Sequence, residues 1–267
     1  MEYLKTVLLG IIQGVTEWLP ISSTGHLLLF DELVGLKMGK EARSVFMVVI
    51  QLGSILAVVV LYLEKLWPFK RSREERRKSF VLWAKVLAAS IPAAIAGLLL
   101  DDIIDSHLSS PLVISASLAV YGVLYIYLEK RMKIEVRVES VEDITYRDAL
   151  RMGLFQMLAL IPGTSRSGST ILGGLVCGIG RSAAAEFSFF MALPVMAGAS
   201  LLRLVKHGMA FTAYEWRLLA IGSFVAFAVS LVSIRALVGY VRKHDFAIFG
   251  VYRIVLAIVV VITFALR

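Results

Sequence analysis

Apolar residues run along this chain in long blocks, and the blocks are of two kinds. Four stretches carry no charge at all: 44–63, 109–128, 187–202 and 218–234. Each approaches the roughly 20 residues that a helix needs to cross the hydrocarbon core of a bilayer. Two more, 80–100 and 246–266, hold one basic residue apiece, Lys85 and Arg253, either of which can snorkel to an interface or face a polar interior. The pattern predicts six full spans.

Two other apolar regions are cut near the middle by a proline and a run of hydroxyl residues. The first reads Gly10-Ile-Ile-Gln13-Gly-Val-Thr-Glu17-Trp-Leu-Pro20-Ile-Ser22-Ser23-Thr24-Gly25-His26. The second begins Gly153-Leu-Phe-Gln156 and continues to Leu160-Ile-Pro162-Gly163-Thr164-Ser165-Arg166-Ser167-Gly168-Ser169-Thr170. Their arms, about 10–15 residues each, are too short to span and have the length of re-entrant segments. Each region therefore predicts a helix, a polar turn and a second helix that returns to the side it came from.

Aligning Gly10–Gln13 with Gly153–Gln156 brings Leu19-Pro20 and Ile161-Pro162 into register after a gap of one residue, with Ser/Thr runs after both prolines. This is an internal repeat. Three spans follow each copy, and an odd number of spans turns the second copy upside down, as in inverted-repeat transporters. The expected fold is all-α: a single polytopic membrane domain over 1–267, with six transmembrane helices and two re-entrant hairpins, in inverted halves of approximately 1–128 and 146–267.

Charge placement agrees with an inverted layout. Lys65, Lys70, Arg71, Arg73, Arg76, Arg77 and Lys78 face three glutamates in the first loop, whereas Asp101, Asp102 and Asp105 sit in the next loop without Lys or Arg. By the positive-inside rule the first loop is cytoplasmic and the second lies outside. Lys130, Arg131, Lys133 and Arg137, then Arg235, Arg242 and Lys243, fall on the cytoplasmic side; Arg203 and Lys206 are exceptions. The first hairpin then enters from outside, the second from the cytoplasm, and both termini lie outside.

Composition excludes the other classes. Hydrophobic residues make up 58% of the 267 and charged residues 18%, against roughly 45–50% apolar content in soluble domains. With a mean hydropathy of +0.81, disorder is also excluded. The net charge of +8 belongs to topology rather than to nucleic acid. Residues 1–20 have the outline of a secretory signal, but Gln13 and Glu17 break the apolar core and no small-x-small cleavage site follows, so they read as mature sequence. The single cysteine, Cys177, lacks the partner for a disulfide or a thiolate metal site and reads as packing.

Irregular backbone at membrane depth must be buried in protein or line a wet cavity, because an unsatisfied amide costs several kcal/mol in hydrocarbon. The two turns are thus expected to build a site, and ionisable residues there are functional by default. They are Glu17, His26 and Arg166. Gln13 and Glu17, four apart, share a helix face; Ser23 and His26, three apart, do so if a helix starts at the Ser-Ser-Thr cap. Residues 163–170 combine glycines, five hydroxyl side chains and one arginine at a predicted helix start, where free amides and the helix dipole favour an anion. Arg166 can grip phosphate oxygens with a fork of donors. A phosphate or diphosphate suits this half, faced by a carboxylate and an imidazole from the other, which suffices for phosphoryl hydrolysis by positioning and charge stabilisation.

Gln13-Gly-Val-Thr-Glu17-Trp-Leu-Pro-Ile-Ser-Ser23-Thr-Gly-His26 and Pro162-Gly-Thr-Ser-Arg166-Ser-Gly-Ser-Thr170 closely resemble the two signature motifs of the undecaprenyl-diphosphate phosphatases, the bacitracin-resistance membrane phosphatase family. The likeness covers essentially the whole chain, including Gln51-Leu-Gly-Ser-Ile-Leu-Ala-Val and Glu186-Phe-Ser-Phe. It implies hydrolysis of undecaprenyl diphosphate to undecaprenyl phosphate and inorganic phosphate, which recycles the lipid carrier of cell-wall synthesis and gives bacitracin resistance. It also implies a divalent cation, Mg²⁺ or Ca²⁺, in the cell (inner) membrane, with the site opening outward.

By the same resemblance Glu17 is the essential glutamate of the first motif, Ser23 the nucleophile, His26 its acid/base partner and Arg166 the diphosphate-binding arginine. Gln13 departs from relatives with a second glutamate there; glutamine keeps a carbonyl for metal or water and loses the charge. Glu17 is accordingly the expected cation contact, assisted by Gln13. Gln13, Thr24, Ser165, Ser167 and Thr170 are expected to touch substrate, and Gln51 and Glu186 to support the turns or an interface. Attack by Ser23, with His26 taking its proton, and attack by water both fit the residues. The expected partners are a polyprenyl diphosphate lipid and the bilayer, not nucleic acid; a homodimer stays open. Gly10-x-x-x-Gly14 and Gly174-x-x-x-Gly178 predict close helix packing. The rival from another class is a transporter or flippase for an anionic lipid, which inverted repeats fit equally well; a nucleophile beside an imidazole favours the enzyme.

Overall fold

The computed structural model describes residues 1–207 and 211–266; the side chains of Asp101, Asp102 and Asp105, the acidic cluster of the second loop, lie outside the described residues. Eleven α-helices follow one another among the described residues. They are α1 (Glu2–Thr16), α2 (Ser23–Leu33), α3 (Lys40–Leu61), α4 (Leu63–Leu66), α5 (Arg73–Ile103), α6 (Pro111–Arg131), α7 (Tyr146–Met157), α8 (Arg166–Val176), α9 (Arg181–His207), α10 (Ala213–Val241) and α11 (Ala247–Ala265). Among the described residues the only strand-like pairing is an isolated parallel bridge between Val138 and Ile179.

Six helices are long and apolar enough to cross a membrane: Glu41–Leu61, Arg73–Leu100, Pro111–Arg131, Arg181–Lys206, Ala213–Val241 and Ala247–Ala265. They coincide with the six stretches read from the sequence and run past them into charged residues, as α5 does by starting at Arg73. Sequence caps fix several starts. Ser110 accepts from the Val113 amide with Pro111 at the first helical position, and Thr145 with Asp148, like Thr212 with Glu215, closes a capping box. Leu98, Leu99, Leu112, Val205 and Phe224 are each at least 69% exposed. So much outward apolar surface is stable against lipid, not water.

The helices approach closely because small residues line the seams. A Cβ built on Gly10 or Gly14 of α1 would come within 2.8 Å of the Gly222 or Ala226 carbonyl oxygen of α10. Gly122 of α6 and Gly250 of α11 face each other's carbonyls in the same way, at 2.7 and 2.6 Å. The second Gly-x-x-x-Gly does not form one packing stripe, contrary to expectation. Gly174 does pack tightly, on Ala184, but Gly178 lies beyond the end of α8 with φ +75°, where it turns the chain.

Each short helix pair is tied at its open end. Near the first, the Lys5 ammonium donates to Val34 O and Gly35 O at 3.1 and 2.8 Å, and the Lys37 amide to Glu2 Oε2 at 2.8 Å. Near the second, Arg137 bridges Asp148 at the start of α7 and the Cys177 carbonyl at the end of α8. So α1 and α2 begin and end at one level, as do α7 and α8. Ion pairs at the second level, Lys65–Glu186 at 2.7 Å, Lys130–Asp245 at 2.6 Å and Arg181–Glu129 at 2.6 Å, gather the ends of α6 and α10, the start of α9 and the segment after α3. Glu186 thus serves an end-of-helix interface. Cys177 is free and partly buried against the core.

Lys85 and Arg253 resolve in opposite ways. Lys85 reaches the Glu142 carbonyl at 3.3 Å in a loop, whereas Arg253 is wholly buried in the middle of the bundle. The aromatic core of the bundle is separate from it in kind: Trp18, Tyr125, Phe187, Phe189, Phe190 and Phe246 are all fully buried.

Candidate active site

Both interrupted regions solve the same local problem in the same way. α1 ends at Thr16, Pro20 prevents the helix from continuing, and Ser22 takes a left-handed backbone (φ 71°) before α2 begins at Ser23. α7 ends at Met157, passes through a 3₁₀ turn and Pro162, and Ser165 takes φ 72° before α8 begins at Arg166. A non-glycine residue in that region costs about 1–3 kcal/mol. Each serine offsets part of this by capping its new helix, Ser22 Oγ accepting from the Gly25 amide at 3.4 Å and Ser165 Oγ from the Gly168 amide at 3.1 Å. The strained serine aims the next residue, Ser23 in one turn and Arg166 in the other, at the space between them.

Glu17 is the centre of that space, and it is 6% exposed. Its Oε1 accepts from Arg166 Nη2 at 3.1 Å; its Oε2 accepts from Gln13 Nε2 and Ser23 Oγ, both at 3.1 Å. Arg166 is held on its other side by the Ser188 carbonyl of α9 at 2.8 Å, and its guanidinium carbon lies 5.6 Å from the centre of the Trp18 ring. Three buried polar atoms here lack a partner: Gln13 Oε1, Arg166 Nε and Trp18 Nε1. A buried donor or acceptor left empty costs about 1–3 kcal/mol, so the cluster is organised to receive something polar.

The remaining predicted residues divide. Ser167 Oγ contacts the first turn, at 3.0 Å from Glu17 O and 3.3 Å from Leu19 O, and lies 3.2 Å from Ser165 Oγ. Thr170 Oγ1 bonds Arg166 O at 2.9 Å and Ser188 Oγ at 2.6 Å. These hydroxyls buttress the turns and Arg166. Thr24 is exposed at the start of α2.

His26 is not paired with Ser23. Its Nδ1 lies 2.8 Å from Ser22 O, and since a carbonyl only accepts, that nitrogen carries a proton. Its Nε2 lies 2.7 Å from the Tyr252 hydroxyl, with the two rings stacked at 9°. The group positioned to take a proton from Ser23 is therefore Glu17. Ser188, Tyr252 and Arg253 were not expected at the site. Ser188 stood in the Glu186-Phe-Ser-Phe stretch and Arg253 as a basic residue in an apolar span, but Tyr252 gave no sequence signal.

The Glu17 carboxylate and the buried Gln13 Oε1 are hard oxygen donors of the kind that Mg²⁺ or Ca²⁺ takes. They do not make an all-protein cage: among the described residues no group of three His, Cys, Asp or Glu side chains could hold a metal alone.

Comparison with known proteins now bears on this geometry. The family model for bacitracin resistance protein BacA matches residues 6–259. An undecaprenyl-diphosphatase of Enterococcus faecalis is 51% identical over 271 residues, covering 100% of this chain and 98% of that protein. Undecaprenyl-diphosphatase 1 of Clostridioides difficile is 50% identical, covering 100% and 97%, and an undecaprenyl-diphosphatase of Acetivibrio thermocellus is 50% identical, covering 99% and 98%. A model matching nearly the whole chain, and relatives of this closeness over full length, mean that the chain belongs to the bacitracin resistance protein BacA family.

Proposed function

We propose that this multi-pass membrane protein hydrolyses undecaprenyl diphosphate to undecaprenyl phosphate and inorganic phosphate, recycling the lipid carrier for cell-wall synthesis and giving bacitracin resistance. The observation that carries the reading is the buried cluster in which one carboxylate, Glu17, touches both a hydroxyl, Ser23, and an arginine, Arg166, from opposite halves of the chain, in a chain whose relatives are named for this activity.

The terminal phosphate binds Arg166 through Nε and Nη2, taking the place of Glu17 on the guanidinium. That leaves the Glu17 carboxylate in contact with the Ser23 hydroxyl, at 3.1 Å. Ser23 Oγ attacks the terminal phosphorus, its proton passes to Glu17, and the bond from that phosphorus to the bridging oxygen breaks, releasing undecaprenyl phosphate. Water then attacks the phosphoserine, giving inorganic phosphate and regenerating Ser23. Arg166 and the amides at the start of α8 stabilise the charge on the transferring group. Gln13 Oε1 and Glu17 would hold a divalent cation, which when bound supplies neutralisation of the diphosphate charge. His26, held by Ser22 O and Tyr252, shapes the edge of the site. Ser165, Ser167 and Thr170 act on substrate through the turns they brace, and Thr24 stands at the entrance.

In the membrane, the two tied helix pairs are re-entrant hairpins in inverted halves. What supports this is their shortness, with 11 residues each in α2 and α8, their open ends at opposite levels, and the matched left-handed serines. The charge bias supports an orientation in the cell membrane in which the first hairpin enters from outside and the site opens outward. An impermeant thiol reagent added to intact cells is expected to label Thr24→Cys; protection from outside with labelling after permeabilisation would reverse the orientation.

The chemical route is tested with terminally ³²P-labelled undecaprenyl diphosphate and rapid acid quench. Label is expected on Ser23 of the wild type and absent from Ser23→Ala, whose turnover falls by about 10²-fold or more. Near-normal turnover of Ser23→Ala would place the attack with water instead. Chelation is expected to stop phosphate release, and Mg²⁺ or Ca²⁺ to restore it.

A further inference from the structure

We infer that Arg253 of α11 is a positioning residue that holds the two halves of the site in register. Its guanidinium donates to three main-chain carbonyls: Nη1 to Pro20 O at 3.0 Å, and Nη2 to Gly163 O and Thr164 O, both at 2.8 Å. Pro20 lies between Glu17 and the strained Ser22; Gly163 and Thr164 immediately precede the strained Ser165. One side chain therefore spans both turns, at the points that aim Ser23 and Arg166.

These carbonyls are ones the broken helices leave without helical partners, and at membrane depth such groups must be satisfied. A guanidinium is suited to the task because it is flat, fixed in charge and rigid in the spacing of its donors, so it sets the distance between the groups it holds. The ring of Tyr121 supports it, 5.2 Å from the guanidinium carbon. Gly168 gives it room: a Cβ there would fall 2.9 Å from Arg253 Nη1. Among the described residues no carboxylate lies within ion-pair distance of Arg253, so its charge is met only by carbonyl dipoles and the ring. An apolar side chain would pack α11 against α6 without burying a cation. What it could not do is fix Pro20 relative to Gly163, and with that the 3.1 Å contact between Glu17 and Arg166.

The kinetic consequence rests on the phosphatase reading, whereas the structural one does not. The experiment compares the wild type with Arg253→Lys and Arg253→Gln, purified in the same detergent, by steady-state phosphate release and by hydrogen–deuterium exchange. Lysine keeps the charge and offers a point instead of a fork; glutamine keeps a donor and loses the charge. For both, kcat is expected to fall by about 10²-fold, the scale of an ångström-sized misplacement, with KM within about 3-fold of wild type. Exchange is expected to rise together in peptides covering 17–25 and 161–170 while the middles of α3 and α9 stay protected.

The inference is overturned if kcat of either folded variant stays within about 3-fold of wild type, if the loss lies in KM alone, or if exchange rises in one turn only or throughout the chain. Should the wild type itself release no phosphate, the phosphatase reading falls by itself, and paired exchange of the two turns still decides for or against the bracket.

Discussion

Arg166→Ala is expected to lower kcat/KM for undecaprenyl diphosphate by about 10³-fold or more, the scale on which a phosphate-stabilising arginine acts in phosphoryl transfer. That corresponds to about 4 kcal/mol of lost transition-state stabilisation. The size follows from how the residue is held. Arg166 is clamped through Nη1 by Ser188 O at 2.8 Å, and its Nη2 rests on Glu17 at 3.1 Å until phosphate takes that place, so its donors are aimed before substrate arrives and little ordering is needed on binding. Arg166→Lys is expected to recover less than about tenfold, because an ammonium cannot reproduce the fork. Glu17→Gln, close in shape, removes the base and the negative charge and should lose activity on the same scale. Removing one partner of a buried ion pair also destabilises, by about 3–5 kcal/mol, so each variant is compared at matched monodispersity in detergent. Parallel losses in Arg166→Lys and Glu17→Gln identify the chemistry; near wild-type turnover in either removes that residue from it.

The second large effect is on folding. Gly53→Val is expected to leave no folded protein in the membrane fraction. A Cβ at Gly53 of α3 would run into the main chain of Ser223 on α10, reaching its carbonyl carbon at 2.7 Å and its Cα at 2.9 Å. Backbone cannot step aside as a side-chain tip can, so α3 and α10 would have to separate. Because α10 also packs on α1 through Gly222, the displacement passes to the α1–α2 pair that carries Glu17. Gly39→Val, with nothing within 4 Å of its Cβ, is the matched control. Normal yield and thermal stability of Gly53→Val would mean that the α3–α10 seam is looser than described.

Much of this was legible in the sequence because membrane helices announce themselves by what they lack. The six spans are uncharged or nearly so, and only their ends were missed, since helices such as α5 continue through charged residues that no apolar window counts. The breaks between α1 and α2 and between α7 and α8 were legible because Pro20 and Pro162, each followed by hydroxyl residues, interrupt an otherwise apolar pattern. Glu17, Ser23 and Arg166 could be picked out because they stand in the interruptions of otherwise apolar stretches.

What the sequence could not supply was pairing across the two halves. Nothing in the spacing says that Ser23 turns to Glu17 and not to His26, a choice set by the left-handed Ser22 and by Tyr252 on a helix 226 residues away. An aromatic residue in an apolar span carries no pattern, so Tyr252 was invisible. Arg253 was visible as an anomaly but had two readings, snorkelling and interior, and only its three carbonyl partners separate them. The second glycine motif failed in part for a similar reason: Gly178 keeps the spacing of a packing stripe while lying outside the helix, whereas Gly10 and Gly14 pack on α10 as their spacing predicts.

The most direct test of the account is product analysis with the wild type. Purified protein in detergent, supplied with Mg²⁺ and undecaprenyl diphosphate, is predicted to form undecaprenyl phosphate and inorganic phosphate in equimolar amounts, whereas lipid that is bound but recovered intact, with no phosphate released, would contradict it.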